Sequence, residues 1–183
     1  FMKKFSFLIL FNLIFFSSSF SSDREHELNS LFNKLKENNF KTAYETEKKI
    51  WKIWSTHPTD KELTKILEKG LILVKSNQLS EAINTFTKAI ELDPYWAEAW
   101  NKRATVLYMI GDYQKSQNDI NKVLQLEKRH FGALSGQGLV NIKLQNYEKA
   151  IKSYQKVRKL YPSMESPKIM IEKINKLIKM QSI

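Results

Sequence analysis

A repeat of 34 residues is the feature of this sequence that most constrains its fold. Three blocks of that length follow one another without a gap, over residues 63–96, 97–130 and 131–164. The eighth position is always small (Gly70, Ala104 and Gly138), and the thirtieth position is leucine in all three blocks. A unit of this length is typical of a helical hairpin that buries its apolar face only by stacking on neighbouring units. The sequence therefore predicts an all-α fold, an α-solenoid of helix-turn-helix hairpins.

Local helix signals agree with the repeat. Residues 59–62, Thr-Asp-Lys-Glu, form a capping box ahead of the first block. Asp93 before Pro94, and Ser166 before Pro167, predict a helix N-cap followed by the first helical residue.

The blocks resemble the tetratricopeptide repeat family. Trp100 stands at the tryptophan position of that repeat, and Gly111-Asp112-Tyr113 matches its turn between helices. Pro94 and Pro162 match its closing proline. The resemblance covers 102 of the 183 residues.

Some positions depart from the family pattern. Position 7, usually leucine, holds Lys69, Arg103 and Gln137, and position 11 of the third block is Asn141. Position 32 of the second block is Lys128 in place of proline. Arg103 has two interpretations, because its guanidinium could pair with a neighbouring acid inside the protein or face an acidic group of a ligand.

The flanking residues predict two caps on the repeat region, which we place at residues 59–164. Residues 22–58 predict an N-terminal capping hairpin of two helices, with Trp51 and Trp54 buried in the seam where it docks. Residues 165–183 predict a C-terminal capping helix that covers the open edge of the third repeat with a basic outer face.

Residues 1–21 have the pattern of a signal peptide. Two lysines precede an apolar segment over residues 5–16, and small residues follow up to a cleavage site after Ser21. We expect a periplasmic or secreted protein. The alternative is an uncleaved anchor in the inner membrane, with a basic body on the membrane surface. The segments EKKIWKIW, WAEAWNKRAT and KRHFGALSGQG also resemble short exported bacterial repeat proteins, which implies an exported adaptor.

Charge and composition argue against several classes of function. The net charge is +11, but the lysines are spread along the chain, which is typical of a solvated surface, so no nucleic-acid partner is predicted. The chain has no cysteine, and its three histidines are scattered, so we expect no metal and no cofactor.

No catalytic motif is present either. His130 and Ser135 are the nearest approach to a catalytic pair, but their sequence is not G-x-S-x-G, and no nearby acid is expected to orient the imidazole. The sequence therefore predicts a protein that is not an enzyme.

The stretch from Trp96 to Tyr113 could form a ligand site, or its residues could determine how two helices pack together. The family resemblance implies that some of its residues do each. In the family, positions 2, 5, 9, 12 and 13 of the first helix line a concave groove. That implies a partner-binding groove of Leu67, Leu71, Val74, Glu98, Asn101, Thr105, Tyr108, Met109, Ser135, Leu139 and Ile142, with Arg103 beneath it. Such a groove suits a protein or peptide ligand, either an extended peptide or an amphipathic helix. A clamp for a terminal carboxylate is not expected, because Leu67 and Gly136 replace its polar residues.

Overall fold

The computed structural model describes residues 23–37 and 39–181, and within these ranges all regular structure is helical. The helices are α1 (23–36), α2 (Phe40–Ser55), α3 (Lys61–Lys75), α4 (Leu79–Leu92), α5 (Ala97–Met109), α6 (Tyr113–Leu126), α7 (Phe131–Lys143), α8 (Tyr147–Leu160) and α9 (Glu165–Gln181). The predicted all-α class is confirmed. The predicted signal peptide, residues 1–21, lies outside the described residues.

Each 34-residue block folds as one hairpin: α3 with α4, α5 with α6, and α7 with α8. The small residue at position 8 lets the two helices approach closely. A Cβ atom added to Gly70 would lie 2.3 Å from Cε1 of Phe86, and one added to Gly138 would lie 2.5 Å from Cζ of Tyr154. The aromatic ring therefore packs directly on the glycine backbone, which explains why the eighth position is small.

The turn inside each hairpin uses one left-handed residue at position 15. Asn77, Gly111 and Gln145 have φ values of 57°, 85° and 59°. In the second hairpin the amide of Asp112 donates to the carbonyl of Leu107 at 2.9 Å, which satisfies a carbonyl at the end of α5. Equivalent hydrogen bonds end α3 and α7, so the first helix of all three hairpins stops in the same way.

The first predicted helix start is right to within one residue, because Asp60 rather than Thr59 is the N-cap and the capping box does not form, and the other two predicted starts are wrong. Asp60 caps α3, since its side chain accepts from the amides of Glu62 and Leu63. Asp93 instead ends α4, and its side chain accepts from the amide of Tyr95 within a turn. Helix α5 begins at Ala97, and α9 begins at Glu165, before the predicted Ser-Pro cap. Pro94 lies in the turn between α4 and α5, whereas Pro167 is the third residue of α9.

Helix α9 continues the register of the repeat. Pro167 and Ile174 are buried against α8, at the positions that Ala133 and Val140 occupy in α7. Position 8 of α9, however, is the exposed Glu172, where a following helix would need a small residue. The helix therefore covers the third repeat, and its exposed side combines charged residues with Ile169, Leu177 and Met180.

The α1–α2 hairpin does not cap the first repeat, and that prediction is wrong. Its apolar residues form one core with Phe131 and Leu134 of α7 and with Val157 and Tyr161 of α8. The edge of α3 stays uncovered: Ile72 is 63% exposed, although the equivalent Val106 and Val140 are buried. The hairpin packs instead against the start of α7 and the end of α8.

Candidate functional site

A cavity of about 200 Å³ opens between α5 and α7, with α6 as its floor. We call it the groove cavity. Its walls are mostly apolar, and Thr105 and Leu139 are exposed at its mouth. It is lined by Asn101, Ala104, Thr105, Tyr108, Ser116, Ile120, Gly132, Ala133, Ser135, Gly136, Leu139 and Val140.

Small residues on α7 keep this cavity open. The nearest side-chain atom to a Cβ added at Gly136 would be Cδ1 of Ile120, at 3.6 Å, which is ordinary contact. Tyr108 forms the opposite wall and packs against Tyr113, with ring centroids 5.5 Å apart. The groove cavity therefore exists because position 136 holds glycine, and a larger side chain there would fill the space.

One polar atom in this cavity has no partner. The Oγ atom of Ser135 is buried without a hydrogen bond from any described residue. A serine in a helix commonly bonds the carbonyl four residues earlier, and a buried hydroxyl left unpaired is unfavourable. The arrangement places one unpaired hydroxyl in the wall of an otherwise apolar space.

The structure brings together five of the predicted site residues in the groove cavity: Asn101, Thr105, Tyr108, Ser135 and Leu139. The other seven lie elsewhere. Leu67, Leu71 and Val74 pack in the core of the first repeat, and Ile142 packs against the α8–α9 core. Met109 is 49% exposed at the end of α5.

Arg103 lies on the other side of α5, away from the groove cavity. Its Nε and Nη2 donate to the two carboxylate oxygens of Asp119, both at 2.8 Å, and its Nη1 donates to Thr87 Oγ1 at 3.0 Å. Its guanidinium also lies 5.0 Å from the ring of Trp100. All of these contacts are internal, so the structure supports the interpretation of Arg103 as a structural residue.

Glu98 is not a groove residue, because its side chain is fully buried in a polar network. Its Oε2 accepts from Asn101 Nδ2 at 3.1 Å and contacts His130 Nε2 at 2.9 Å, while Lys102 Nζ lies 2.7 Å from Oε1. His130 Nδ1 accepts from the amide of Ala133, so the other ring nitrogen carries the proton that Glu98 accepts. The expectation that no acid orients His130 is therefore wrong.

This network is closed off from solvent. The side chains of Glu98 and His130 are both 0% exposed. Burial alone would raise the pKa of Glu98, but the hydrogen bond from His130 and the charge of Lys102 outweigh it, so its pKa lies below the ordinary value. Glu98 is an ionised structural acid with no access to a substrate.

The α1–α2 hairpin covers this network with two tryptophans. Trp54 stacks on His130, and Lys102 Nζ lies 5.1 Å from the ring of Trp51. Tyr161 donates its hydroxyl to Glu47 of α2 at 2.9 Å. Sequence reasoning placed the tryptophans in a docking seam, but it did not find His130 as their partner or Tyr161 as the partner of Glu47, because these residues lie far apart in sequence.

Two further classes of site have no support in the described ranges. Residues 23–37 and 39–181 contain no group of three or more His, Asp or Glu side chains placed to hold a metal ion. Their helices also include none that is long and apolar enough to cross a membrane.

Comparison with protein-family models gives two matches. Residues 70–111 match a model described as TPR repeat, and residues 131–164 match one described as Tetratricopeptide repeat. The second match has the bounds of the third 34-residue block.

Two curated proteins illustrate the sequence similarity. A TPR repeat-containing protein of Rhizobium etli is 40% identical over 82 residues, which are 45% of this chain and 40% of that protein. RNA polymerase II-associated protein 3 of Xenopus tropicalis is 31% identical over 109 residues, 60% of this chain and 17% of that protein. The chain thus spans less than half the length of both relatives.

Solved structures share the helical arrangement. The first TPR of Spaghetti (RPAP3), bound to the HSP90 peptide SRMEEVD, aligns with a TM-score of 0.62 and 26% identity, covering 64% of this chain and 93% of that one. The first TPR domain of human RPAP3 aligns with a TM-score of 0.63 and 26% identity, covering 66% and 94%. The hairpins of this chain are therefore stacked as in domains of this kind.

Proposed function

We propose that this chain, a tetratricopeptide repeat protein, is a non-enzymatic adaptor that binds a peptide or helix of a partner protein in its groove cavity. The observation that carries the proposal is the unpaired Ser135 hydroxyl at an apolar cavity whose mouth is open at Thr105 and Leu139. An apolar side chain of the ligand would fill the volume, and a polar group beside it would pair with Ser135.

The ligand differs from a terminal acidic peptide held by a carboxylate clamp. Leu67 is buried in the core of the first repeat, and Gly136 offers no side chain. The chain therefore lacks polar clamp side chains at these two positions. We propose that an internal apolar segment binds, although relatives such as Spaghetti are seen with a chaperone peptide.

Site-specific photo-crosslinking tests this proposal. Benzoylphenylalanine at position 139, at the mouth of the groove cavity, is expected to crosslink a partner segment that mass spectrometry can map. Thr105→Arg should abolish the crosslink, because a long charged side chain would block the mouth. Gln125→Arg, on the exposed face of α6, is the matched control and should leave the crosslink unchanged.

Tyr108→Ala gives a second arm, since it removes a wall of the groove cavity without touching the buried network. Asn101→Ala is less clean, because Asn101 also donates to buried Glu98. The proposal is wrong if the same partner segment is captured equally well by wild type and by both Thr105→Arg and Tyr108→Ala.

We also propose that the chain acts outside the cytoplasm, in the periplasm or after secretion. The support is the sequence of residues 1–21 alone: two lysines, an apolar segment and small residues before Ser22. Mass spectrometry of the native N-terminus tests this. A chain that begins near Ser22 is expected, whereas one that begins at Met2 and sediments with membranes would favour the uncleaved anchor.

A further inference from the structure

A second cavity, of about 410 Å³, lies on the opposite side of α7 from the groove cavity, between α6 and α8. We call it the amide cleft. Its lining consists of six Asn or Gln side chains, three lysines, one serine and one leucine. It contains no acidic side chain, and its volume lies in the range of about 300–1,000 Å³ that ligand pockets occupy.

The repeat itself supplies a comparison for this cleft. A cavity at the same place one repeat earlier, between α4 and α6, is lined at equivalent positions by Ile83, Thr87, Arg103, Leu107 and Asp119. There the cation is neutralised by an acid, and part of the wall is apolar. In the amide cleft Asn141 replaces leucine and Ser153 replaces aspartate. The fold therefore does not require these amides, since the preceding repeat does without them.

A relay of hydrogen bonds fixes the direction in which the amides point. Asn141 Nδ2 donates to the backbone carbonyl of Gln137 at 2.8 Å and to Gln117 Oε1 at 3.2 Å. Gln117 must then use its Nε2 group to donate to Asn121 Oδ1, at 2.9 Å. The relay ends on the Nδ2 group of Asn121, for which the described residues provide no acceptor. The amide cleft thus presents an open N–H donor.

Three lysines of α8 add positive charge to this donor. Lys149, Lys152 and Lys156 stand at i, i+3 and i+7, which places them on one helix face over about 10 Å. All three are exposed, and within residues 23–37 and 39–181 none forms an ion pair. The lining of the cleft therefore has unpaired donors and cations but no anion.

We propose that the amide cleft binds an extended acidic segment of a partner protein. Carboxylates of that segment pair with the three lysines, and one of its backbone carbonyls accepts from Asn121. Nucleic acid fits less well, because the cleft lining holds no aromatic side chain for base stacking and no arginine for bidentate phosphate contacts. This site is separate from the groove cavity and can be occupied together with it.

Fluorescence anisotropy with a defined probe tests the proposal. The probe is a fluorescein-labelled peptide of alternating Glu and Ala, ten residues long and blocked at both ends, added to the full chain at low salt. The same peptide with Gln in place of Glu is the uncharged comparison. We expect saturable binding of the Glu peptide only, weakened by salt as contacts between exposed charges require.

Matched variants separate the cleft from general surface charge. Lys149→Gln, Lys152→Gln and Lys156→Gln together should weaken binding about tenfold or more. Lys34→Gln, Lys36→Gln and Lys41→Gln remove the same charge from exposed sites on the hairpin and should change binding less than about twofold. Asn121→Ala should weaken it about threefold to tenfold through the lost donor.

Several results would overturn the inference: an equal loss in both triple variants, no saturable binding of the Glu peptide, or binding of polyphosphate that Asn121→Ala does not affect. The last two would leave at most an unspecific anion site. Thr105→Arg should not alter binding of the Glu peptide, so the groove proposal and this one can fail independently.

Discussion

Trp54 stacks flat on His130, with ring centroids 4.0 Å apart and an angle of 9° between the rings. This contact joins α2 to the residue before α7, 76 positions later in the chain. His130 in turn contacts Glu98 of α5, so one stack links the hairpin to α5 and to the residue that precedes α7. The hairpin is therefore part of the core of the protein.

We predict that Trp54→Ala destabilises the protein by about 3–5 kcal/mol, because it removes a large buried ring and leaves a cavity. Urea denaturation measures the loss, and limited trypsin digestion should show faster cleavage in α2. Tyr44→Ala on the same helix is the control, since Tyr44 is 59% exposed and should cost less than about 0.5 kcal/mol. Unchanged proteolysis of Trp54→Ala would contradict the docked hairpin.

The buried carboxylate of Glu98 predicts that the free energy of unfolding depends on pH. Its pKa in the folded state lies below the ordinary value, so ionised Glu98 stabilises the fold above that ordinary value, and the contribution is lost as pH falls through the folded pKa. Glu98→Gln should cost about 1–3 kcal/mol at pH 7. The difference from wild type should shrink below about pH 4.5, where Glu98 of the unfolded chain becomes protonated.

Denaturation of wild type, Glu98→Gln and the exposed control Glu172→Gln across this pH range measures that effect. A difference that stays constant from pH 7 to pH 3 would show that the charge of Glu98 has no role in stability.

Arg103 and Asp119 form a bidentate pair whose side chains are 19% and 6% exposed. Asp119→Ala should cost about 3 kcal/mol, because it leaves the guanidinium partly buried and unpaired. Adding Arg103→Leu, the residue usual at this position of the repeat, should restore stability to within about 1 kcal/mol of wild type. A double-mutant cycle by urea denaturation measures the coupling, and no coupling would argue that Arg103 has a role outside the fold.

Two glycines of α7 should respond to alanine in opposite directions. Gly138→Ala places a Cβ 2.5 Å from Cζ of Tyr154 and should destabilise by about 1–3 kcal/mol. Gly136→Ala meets only Ile120 Cδ1, at 3.6 Å, and should stabilise by about 0.5–1 kcal/mol through the helix propensity of alanine. Thermal melts of both variants check this, and a stabilised Gly138→Ala would contradict the packing of the third hairpin.

The repeat architecture could be predicted because its causes are local. The small residue at position 8 and the turn residue at position 15 recur every 34 residues, and each acts within its own hairpin. The helix starts were less predictable: Asp93 and Pro94 have the pattern of a helix cap, yet they form a turn in which Asp93 accepts from the amide of Tyr95, and α5 begins only at Ala97.

The candidate site could be predicted only in part. Thr105 and Leu139 follow from the repeat register, but the unpaired hydroxyl of Ser135 depends on the space that Gly136 leaves. The amide cleft had a signal in the sequence: Asn141 departs from the family at position 11. The role of Asn141 could be inferred only from its hydrogen bond to Gln117, which lies 24 residues away in sequence on another helix.

The sequence by itself determined the helices, their pairing into three hairpins and the cover that α9 gives to the last one, since periodicity and neighbouring contacts decide these. Only the tertiary structure decided where the α1–α2 hairpin docks and which polar groups are used internally. The α1–α2 hairpin does not follow the 34-residue register, so its place depends on whether Trp54 and Phe32 find a complementary surface, and Phe131 and His130 provide it. The register assigned Glu98 to the groove and left Arg103 beneath it with two interpretations, and the structure pairs both side chains with groups inside the protein.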